Sequence, residues 1–236
     1  MRERIERGLT ALGLTPPPQA AERLAEYGRL LLEQNQVMNL TAITDPDQVA
    51  DLHFLDCAAL LTMGEDFKGK RLIDVGTGAG FPGMPLKILE PGLDLTLLDS
   101  LGKRVHWLES VCQSLGLEGV TCLHARAEEQ ALQAGFRDGF DYATSRAVAS
   151  LELLCELCLP YVKVGGKFLA MKSVESDEEL SQAAKGIALL GGRALPSFDY
   201  TIPGTQVPHR VVVVEKIAPT PKGYPRRWAK IQKSPL

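Results

Sequence analysis

The residues best suited to chemistry form a glycine-punctuated run behind an apolar segment: Leu72-Ile73-Asp74-Val75-Gly76-Thr77-Gly78-Ala79-Gly80-Phe81-Pro82-Gly83. A strand ending at Val75, a turn carrying glycines at alternate positions and a following helix make a loop whose backbone a ligand can approach closely. Open α/β sheets bind ligands in the crevice beyond such strand ends. A literal G-x-G-x-x-G, the dinucleotide fingerprint, runs from Gly78 through Gly80 to Gly83. That register starts two residues after the strand and places Pro82 inside the motif. Counted from Gly76, the spacing is D-x-G-x-G-x-G and begins directly at the strand end. Asp99 ends the next apolar run, Leu95–Leu98, nineteen positions after Gly80. A carboxylate there can accept both ribose hydroxyls of an adenosine, whether from a methyl donor or from NAD, or it can simply cap the following helix.

If the ligand is a methyl donor, the fourth strand narrows the acceptor. Exocyclic amine methylation usually employs an (Asn/Asp)-Pro-Pro-aromatic segment there, but this chain has Ala143-Thr144-Ser145-Arg146-Ala147. Pyrimidine carbon methylation needs a cysteine nucleophile, and none of the five cysteines lies at a strand end in a loop. No acidic cluster suggests a metal site. Arg146 is the remaining candidate, either as a surface ion pair or as an aligning group for a ring nitrogen acceptor that needs no base. It could donate to guanine O6 or to the cofactor.

These residues require elements to hold them. Ala20 to Gln36 reads as a helix with Leu24, Tyr27 and Leu31 on one stripe, and Asp45-Pro46 opens another through Val49, Leu52, Leu55 and Ala59. From about Lys70 the rhythm changes. Strands are expected at Arg71–Val75, Leu93–Leu98, Val120–His124, Phe140–Thr144, Lys167–Met171 and Arg210–Glu215, most of them separated by helical stretches. The expectation is a parallel α/β sheet with helices on both faces. Val211–Val214 should be covered on both sides, and the run from Leu190 to Pro208 should hold loops and short strands. Residues 1–65 form a helical extension and 66–236 the sheet domain.

The chain has 236 residues, 45% hydrophobic and 23% charged, with net charge −3. No signal peptide or membrane span is expected, so the protein should be cytoplasmic. Cys155 and Cys158 form a C-x-x-C inside an apolar helix, where packing is the simpler role. From Lys222 onward the chain carries Arg226, Arg227, Lys230 and Lys233 with no acid. This basic end is either a solvated tail or, with Tyr224 and Trp228 interleaved, an RNA-facing surface.

Taken together, these segments resemble the bacterial small-subunit ribosomal RNA guanine-N7 methyltransferase family, historically called glucose-inhibited division protein B. The resemblance runs from about Asn39 to Leu236. It rests on Asn39-Leu40-Thr41-Ala42-Ile43, His53-Phe54-Leu55-Asp56, Asp74–Pro85, Leu98–Val105, Arg126-Ala127-Glu128-Glu129, Ser145-Arg146-Ala147, His209-Arg210 and Pro219–Arg227. It implies a Rossmann-like class I fold with an N-terminal helical extension. The implied activity is methyl transfer from S-adenosyl-L-methionine to a guanine N7 in 16S rRNA near the decoding site. Nothing in the sequence suggests an obligate dimer, so a monomer is expected. Carried over by position, Asp74, Gly76, Gly78, Gly80, Phe81, Asp99, Ser100, Lys103, Ala127, Glu128 and Arg146 would serve the cofactor. Arg146 would also act in catalysis. Asn39, His53, Lys172, His209, Arg210, Tyr224, Arg226 and Arg227 would face RNA. The chain departs from the family pattern at Leu52, where a basic residue is usual before the histidine, at Cys57 and at Ser173. A methyltransferase of another substrate, an NAD enzyme and a non-catalytic RNA-binding protein are the alternatives.

Overall fold

The structure is a computed structural model and describes residues 1–146 and 149–236. Ala147, the last residue of the Ser145-Arg146-Ala147 segment, lies outside the described residues. Eight strands form one sheet: β1 (Arg71–Val75), β2 (Asp94–Asp99), β3 (Val120–His124), β4 (Phe140–Arg146), β5 (Val162–Ser173), β6 (Gly192–Ala194), β7 (Phe198–Thr201) and β8 (Pro208–Lys216). Their order is β3-β2-β1-β4-β5-β8-β6, with β7 also paired to β8. The first five strands are parallel. From β1 the chain winds outward to β2 and β3, and then returns to place β4 and β5 on the other side. The crevice above β1 and β4 is therefore the topological switch point.

The expected parallel sheet is mainly parallel, and β8 is the departure from it. This strand runs antiparallel to β5, β6 and β7. The short loop between β7 and β8 closes a hairpin, which needs no crossover helix. Val211 to Val214 are nevertheless buried, because β8 is central and both faces are covered.

The helices are α1 (Arg2–Ala11), α2 (Ala20–Met38), α3 (Pro46–Val49), α4 (Asp56–Ala58), α5 (Gly83–Leu89), α6 (Gly102–Ser114), α7 (Ala127–Gln130), α8 (Leu151–Cys158), α9 (Asp177–Leu189) and α10 (Trp228–Lys233). A π-helical turn, Ala50–Leu55, joins α3 to α4, and a 3-10 turn, Ala59–Thr62, follows α4. Asp45 opens this stretch as anticipated, its carboxylate accepting from the Asp47 and Gln48 N–H groups. None of the helices among the described residues is long and apolar enough to cross a membrane.

Strand alternation splits the core in two. Leu72, Leu95, Leu97, Val211 and Val213 face one side, under α1, α2, the Pro46–Thr62 stretch, α5 and α6. Ile73, Val75, Leu98, Val212 and Val214 face the other, under α8, α9 and α10. The N-terminal helices thus share one core with the sheet. Leu24, Tyr27 and Leu31 are each fully buried in it. Cys155 and Cys158 are buried in α8 on the opposite face.

Candidate active site

The glycine loop leaves β1 at Val75 and is braced from behind. Asp74 is fully buried, and its carboxylate accepts from Thr77 Oγ1 (2.7 Å), the Gly83 N–H (2.9 Å) and Thr144 Oγ1 (3.3 Å). Burial pushes this carboxyl up to about 6 against the pull of those hydrogen bonds. From the other side the Tyr27 hydroxyl of α2 donates to the Ala79 carbonyl. Gly80 faces the same helix, and a Cβ there would come within 2.5 Å of Tyr27 Oη and 2.8 Å of Met84 Cγ. Gly78 is different: with φ of +59° it has open space where a side chain would project.

That space belongs to a cleft of about 400 Å³. Gly76, Thr77, Gly78, Ala79 and Phe81 form its floor, with Asp99, Ser100, Leu101 and Arg104 at one end and Leu40, Thr41, His53 and Arg146 at the other. Asp99 Oδ2 accepts from the Gly78 N–H and Oδ1 from the Leu101 N–H, each at 2.9 Å. Arg104 Nη1 stands 3.6 Å from Asp99 Oδ2. A carboxylate has about four acceptor sites, so Asp99 can still take ribose hydroxyls.

Arg146 closes the other end. It extends from β4 against the π-helical turn, where a widened helix exposes backbone and side-chain acceptors together. Nη1 donates to the Leu52 carbonyl and to Asp56 Oδ2, both at 3.2 Å, and Nη2 donates to His53 Nδ1 at 2.9 Å. The guanidinium carbon lies 4.7 Å from the centre of the Phe81 ring, and His53 stacks on the same ring at 4.5 Å. Burial, reinforced by the Arg146 charge, lowers the His53 pKa to about 3, so the imidazole is neutral. Asp56 is buried behind Arg146. Its Oδ1 also accepts from Tyr200 Oη (2.6 Å) and pairs with His209 Nδ1 (2.7 Å).

Arg146 also lines a second cleft of about 560 Å³. It is lined by Ile43, Leu52, His53, Asp56, Arg146, Met171, Lys172, Ser173, Val207 and His209. His53 and Arg146 are the residues common to both clefts.

Several expected site residues are brought together here: Gly76, Gly78, Phe81, Asp99, Ser100 and Arg146 in the first cleft, and His53, Lys172 and His209 with Arg146 in the second. Lys172 Nζ donates to the Ala149 carbonyl and pairs with Glu179. Ala127 begins α7 just beyond β3, whose end pairs with Asp99. Glu128 is buried in a neighbouring pocket with Arg126, Arg226, Arg227 and Trp228.

The structure places the other expected residues outside these two clefts. Asp74 and Gly80 lie behind the loop and shape it without lining the cleft. Lys103 is exposed outside the cleft, and Arg104, one helical step further on, lines it instead. Arg210 points away from His209 across the alternating strand and is held by Asp199 and Asp177. Arg226 is locked to the buried Glu156 carboxylate by both forks of its guanidinium. Tyr224 is half-buried against the core on the α8 face of the sheet, and Arg227 is exposed at the N-cap position of α10 with no side-chain capping bond. Asn39 is the left-handed C-cap of α2 (φ +50°), and its neighbour in space Asn35 does the holding. The Asn35 amide donates to the Thr41 carbonyl and its oxygen accepts from the Leu40 and Thr41 N–H groups. Asn35, Thr41, Asp56 and Tyr200 were not singled out as site residues. Thr41 and Asp56 had a signal, their places in the Asn39–Ile43 and His53–Asp56 segments.

The mainly parallel order β3-β2-β1-β4-β5-β8-β6, with β8 antiparallel, a glycine loop at the end of β1 and an acid at the end of β2, fits a Rossmann-like class I methyltransferase. Solved structures similar to this chain include TrmN from Thermus thermophilus, with TM-score 0.52, 23% identity and coverage of 68% of this chain and 48% of that one. MtNAS in complex with MTA and tNA has TM-score 0.53 and 15% identity, covering 84% of this chain and 71% of that one. At these identities the likeness is one of fold. The family model described as rRNA small subunit methyltransferase G matches residues 20–199. Ribosomal RNA small subunit methyltransferase G of Clostridium beijerinckii is 45% identical over 225 residues, which is 95% of this chain and 94% of that one. Its counterpart from Alkaliphilus metalliredigens is 44% identical over 232 residues, 98% of this chain and 97% of that one. The chain belongs to the rRNA small subunit methyltransferase G family and is a methyltransferase using S-adenosylmethionine.

Proposed function

We propose that the chain methylates N7 of a guanine in small-subunit ribosomal RNA, with the methyl donor in the first cleft and the base in the second. The observation that carries this reading is the meeting of the two clefts at Arg146 and His53. The first cleft fits the donor: open space over Gly78, an acceptor-rich carboxylate at one end and a cation at the other. When bound there, S-adenosylmethionine supplies an electrophilic sulfonium methyl group.

In this reading Asp99 and Ser100 hold the ribose, and Ala127 and Glu128 flank the adenine. Arg146 has five N–H donors. Nε and one Nη2 hydrogen have no acceptor among the described residues, so they can align donor and base. His53 has Nδ1 occupied by Arg146, which leaves it no lone pair to act as a base. Guanine N7 needs none, because it attacks with its own lone pair, and catalysis rests on alignment. Lys172, His209 and the apolar Met171 and Val207 supply the walls of a base slot. Residues 1–65 act as a cap that contributes Thr41, His53 and Asp56, and residues 66–236 contribute the sheet. The enzyme works in the cytoplasm on the ribosomal subunit or its RNA.

The test uses radiolabelled donor and small subunits, or their RNA, from cells lacking the endogenous enzyme. Reduction and aniline cleavage cut the chain at 7-methylguanosine. A single cut is expected, and tight donor binding without any labelled RNA would overturn the acceptor. Arg146→Ala should lower turnover more than tenfold, equivalent to over 1.4 kcal/mol of barrier. Unchanged turnover and donor affinity would remove Arg146 from the mechanism.

A further inference from the structure

Thr41 has no place in the chemistry so far, yet its hydrogen bonds determine which way its hydroxyl must act. Arginine only donates. His53 Nδ1, 2.9 Å from Arg146 Nη2, is therefore an acceptor, and the neutral ring carries its hydrogen on Nε2. That Nε2–H lies 2.8 Å from Thr41 Oγ1 and donates to it. The Ile43 N–H donates to the same oxygen at 3.0 Å. With both lone pairs of Oγ1 occupied, the hydroxyl hydrogen must be given outward, and it meets no acceptor among the described residues. Thr41 lines the first cleft. Asn35 fixes its backbone on both sides, so the hydroxyl is held in place.

The chain Arg146–His53–Thr41 begins at a fixed cation, and each link polarises the next. The terminal hydroxyl is thereby a strengthened donor suited to an anionic oxygen. Its position selects which one. Asp99 ends β2 and Arg146 ends β4, on opposite sides of β1, and Thr41 is joined to Arg146 through His53, so Thr41 lies across the cleft from the ribose-binding acid. We infer that the Thr41 hydroxyl binds the α-carboxylate of the donor's amino-acid tail, presented by His53 as a relay from Arg146. The inference rests on the donor occupying the first cleft as proposed above.

The experiment compares two ligands on each protein by titration calorimetry. S-adenosylhomocysteine carries the carboxylate, and S-adenosyl-3-thiopropylamine is the same thioether without it. In Thr41→Val, which keeps the shape and removes the hydroxyl, the first ligand should weaken about tenfold or more, the usual scale for a hydrogen bond to a charged group. The second should stay within about twofold on the same scale. Thr41→Ser should retain most of the preference for the carboxylate. Both ligands are measured on the same variant, so the ratio of their affinities is unaffected by any loss of folded protein. An unchanged ratio in Thr41→Val overturns the inference, whether both affinities fall together or neither falls. Loss of RNA affinity alone would overturn it too, by assigning the hydroxyl to a phosphate. Failure of the unmodified protein to bind S-adenosylhomocysteine would overturn the donor reading itself, which is a distinguishable result.

Discussion

Asp56 serves partners on three different strands with two oxygens: Arg146 of β4, Tyr200 of β7 and His209 of β8. It is 2% exposed, so its charge is tolerable only because these groups surround it. Asp56→Asn keeps the volume but leaves Arg146 without a counter-charge. Removing one member of a buried pair costs about 3 kcal/mol, and that loss is the expected result of urea denaturation. Turnover should fall with it, since both Arg146 and His209 lose their fixed positions. Undiminished stability would show that water replaces the carboxylate there. Little of this was legible in the sequence, since Tyr200 and His209 stand 144 and 153 positions from Asp56. The exchange of Lys103 for Arg104 has a similar origin. Neighbours on a helix point about 100° apart, and only the packing of α6 decides which one enters the cleft.

Elements were far more legible, because period and propensity are local. Arg71–Val75 and Val120–His124 are strands as expected, and the other four anticipated runs lie within or overlap observed strands. Strand direction was not legible, since a buried valine run reads the same parallel or antiparallel. The π-helical turn was also hidden, because Leu52 to Asp56 fits an ordinary amphipathic helix. The glycine loop shows how similar letters do different work. Gly80 sits at φ +96° against Tyr27 and Met84, so Gly80→Ala combines backbone strain with overpacking. Its cost should be about 3 kcal/mol, seen as a lowered midpoint in thermal denaturation. Gly78→Ala meets open space and should cost only about 1 kcal/mol for its left-handed backbone. Its methyl group would nonetheless occupy the cleft, so donor affinity should drop while the fold survives. Equal stability losses for the two variants would contradict this division of labour.

At the scale of the whole molecule, the helical extension and the sheet share one core, and the candidate site is where they meet. Thr41, His53 and Asp56 come from the extension, whereas the glycine loop, Asp99 and Arg146 come from the sheet. Site integrity and global stability are therefore linked, and pH reports the link. His53 has a pKa of about 3 in the folded protein against an ordinary 6.5. Its folded value is the lower one, so the unfolded chain binds a proton that the native state refuses. The stability this group contributes is present above pH 6.5 and is lost as pH falls toward 3. Between pH 7 and pH 5 the loss amounts to about 2 kcal/mol. Asp74 works in the opposite sense: its folded value of about 6 exceeds the ordinary 3.8, so its burial favours the folded state at the acid end of that range. The clean measurement is therefore a difference, the urea stability of the unmodified protein minus that of His53→Gln, followed from pH 7 to pH 5. Asp74 contributes equally to both and cancels. His53→Gln starts lower, because Arg146 and Thr41 lose an ideal partner, but its stability should decline less steeply by about 1.4 kcal/mol per pH unit below 6. Parallel curves would mean that the native state accepts the proton on His53. The imidazole would then not be the neutral link between Arg146 and Thr41 that the Thr41 proposal requires.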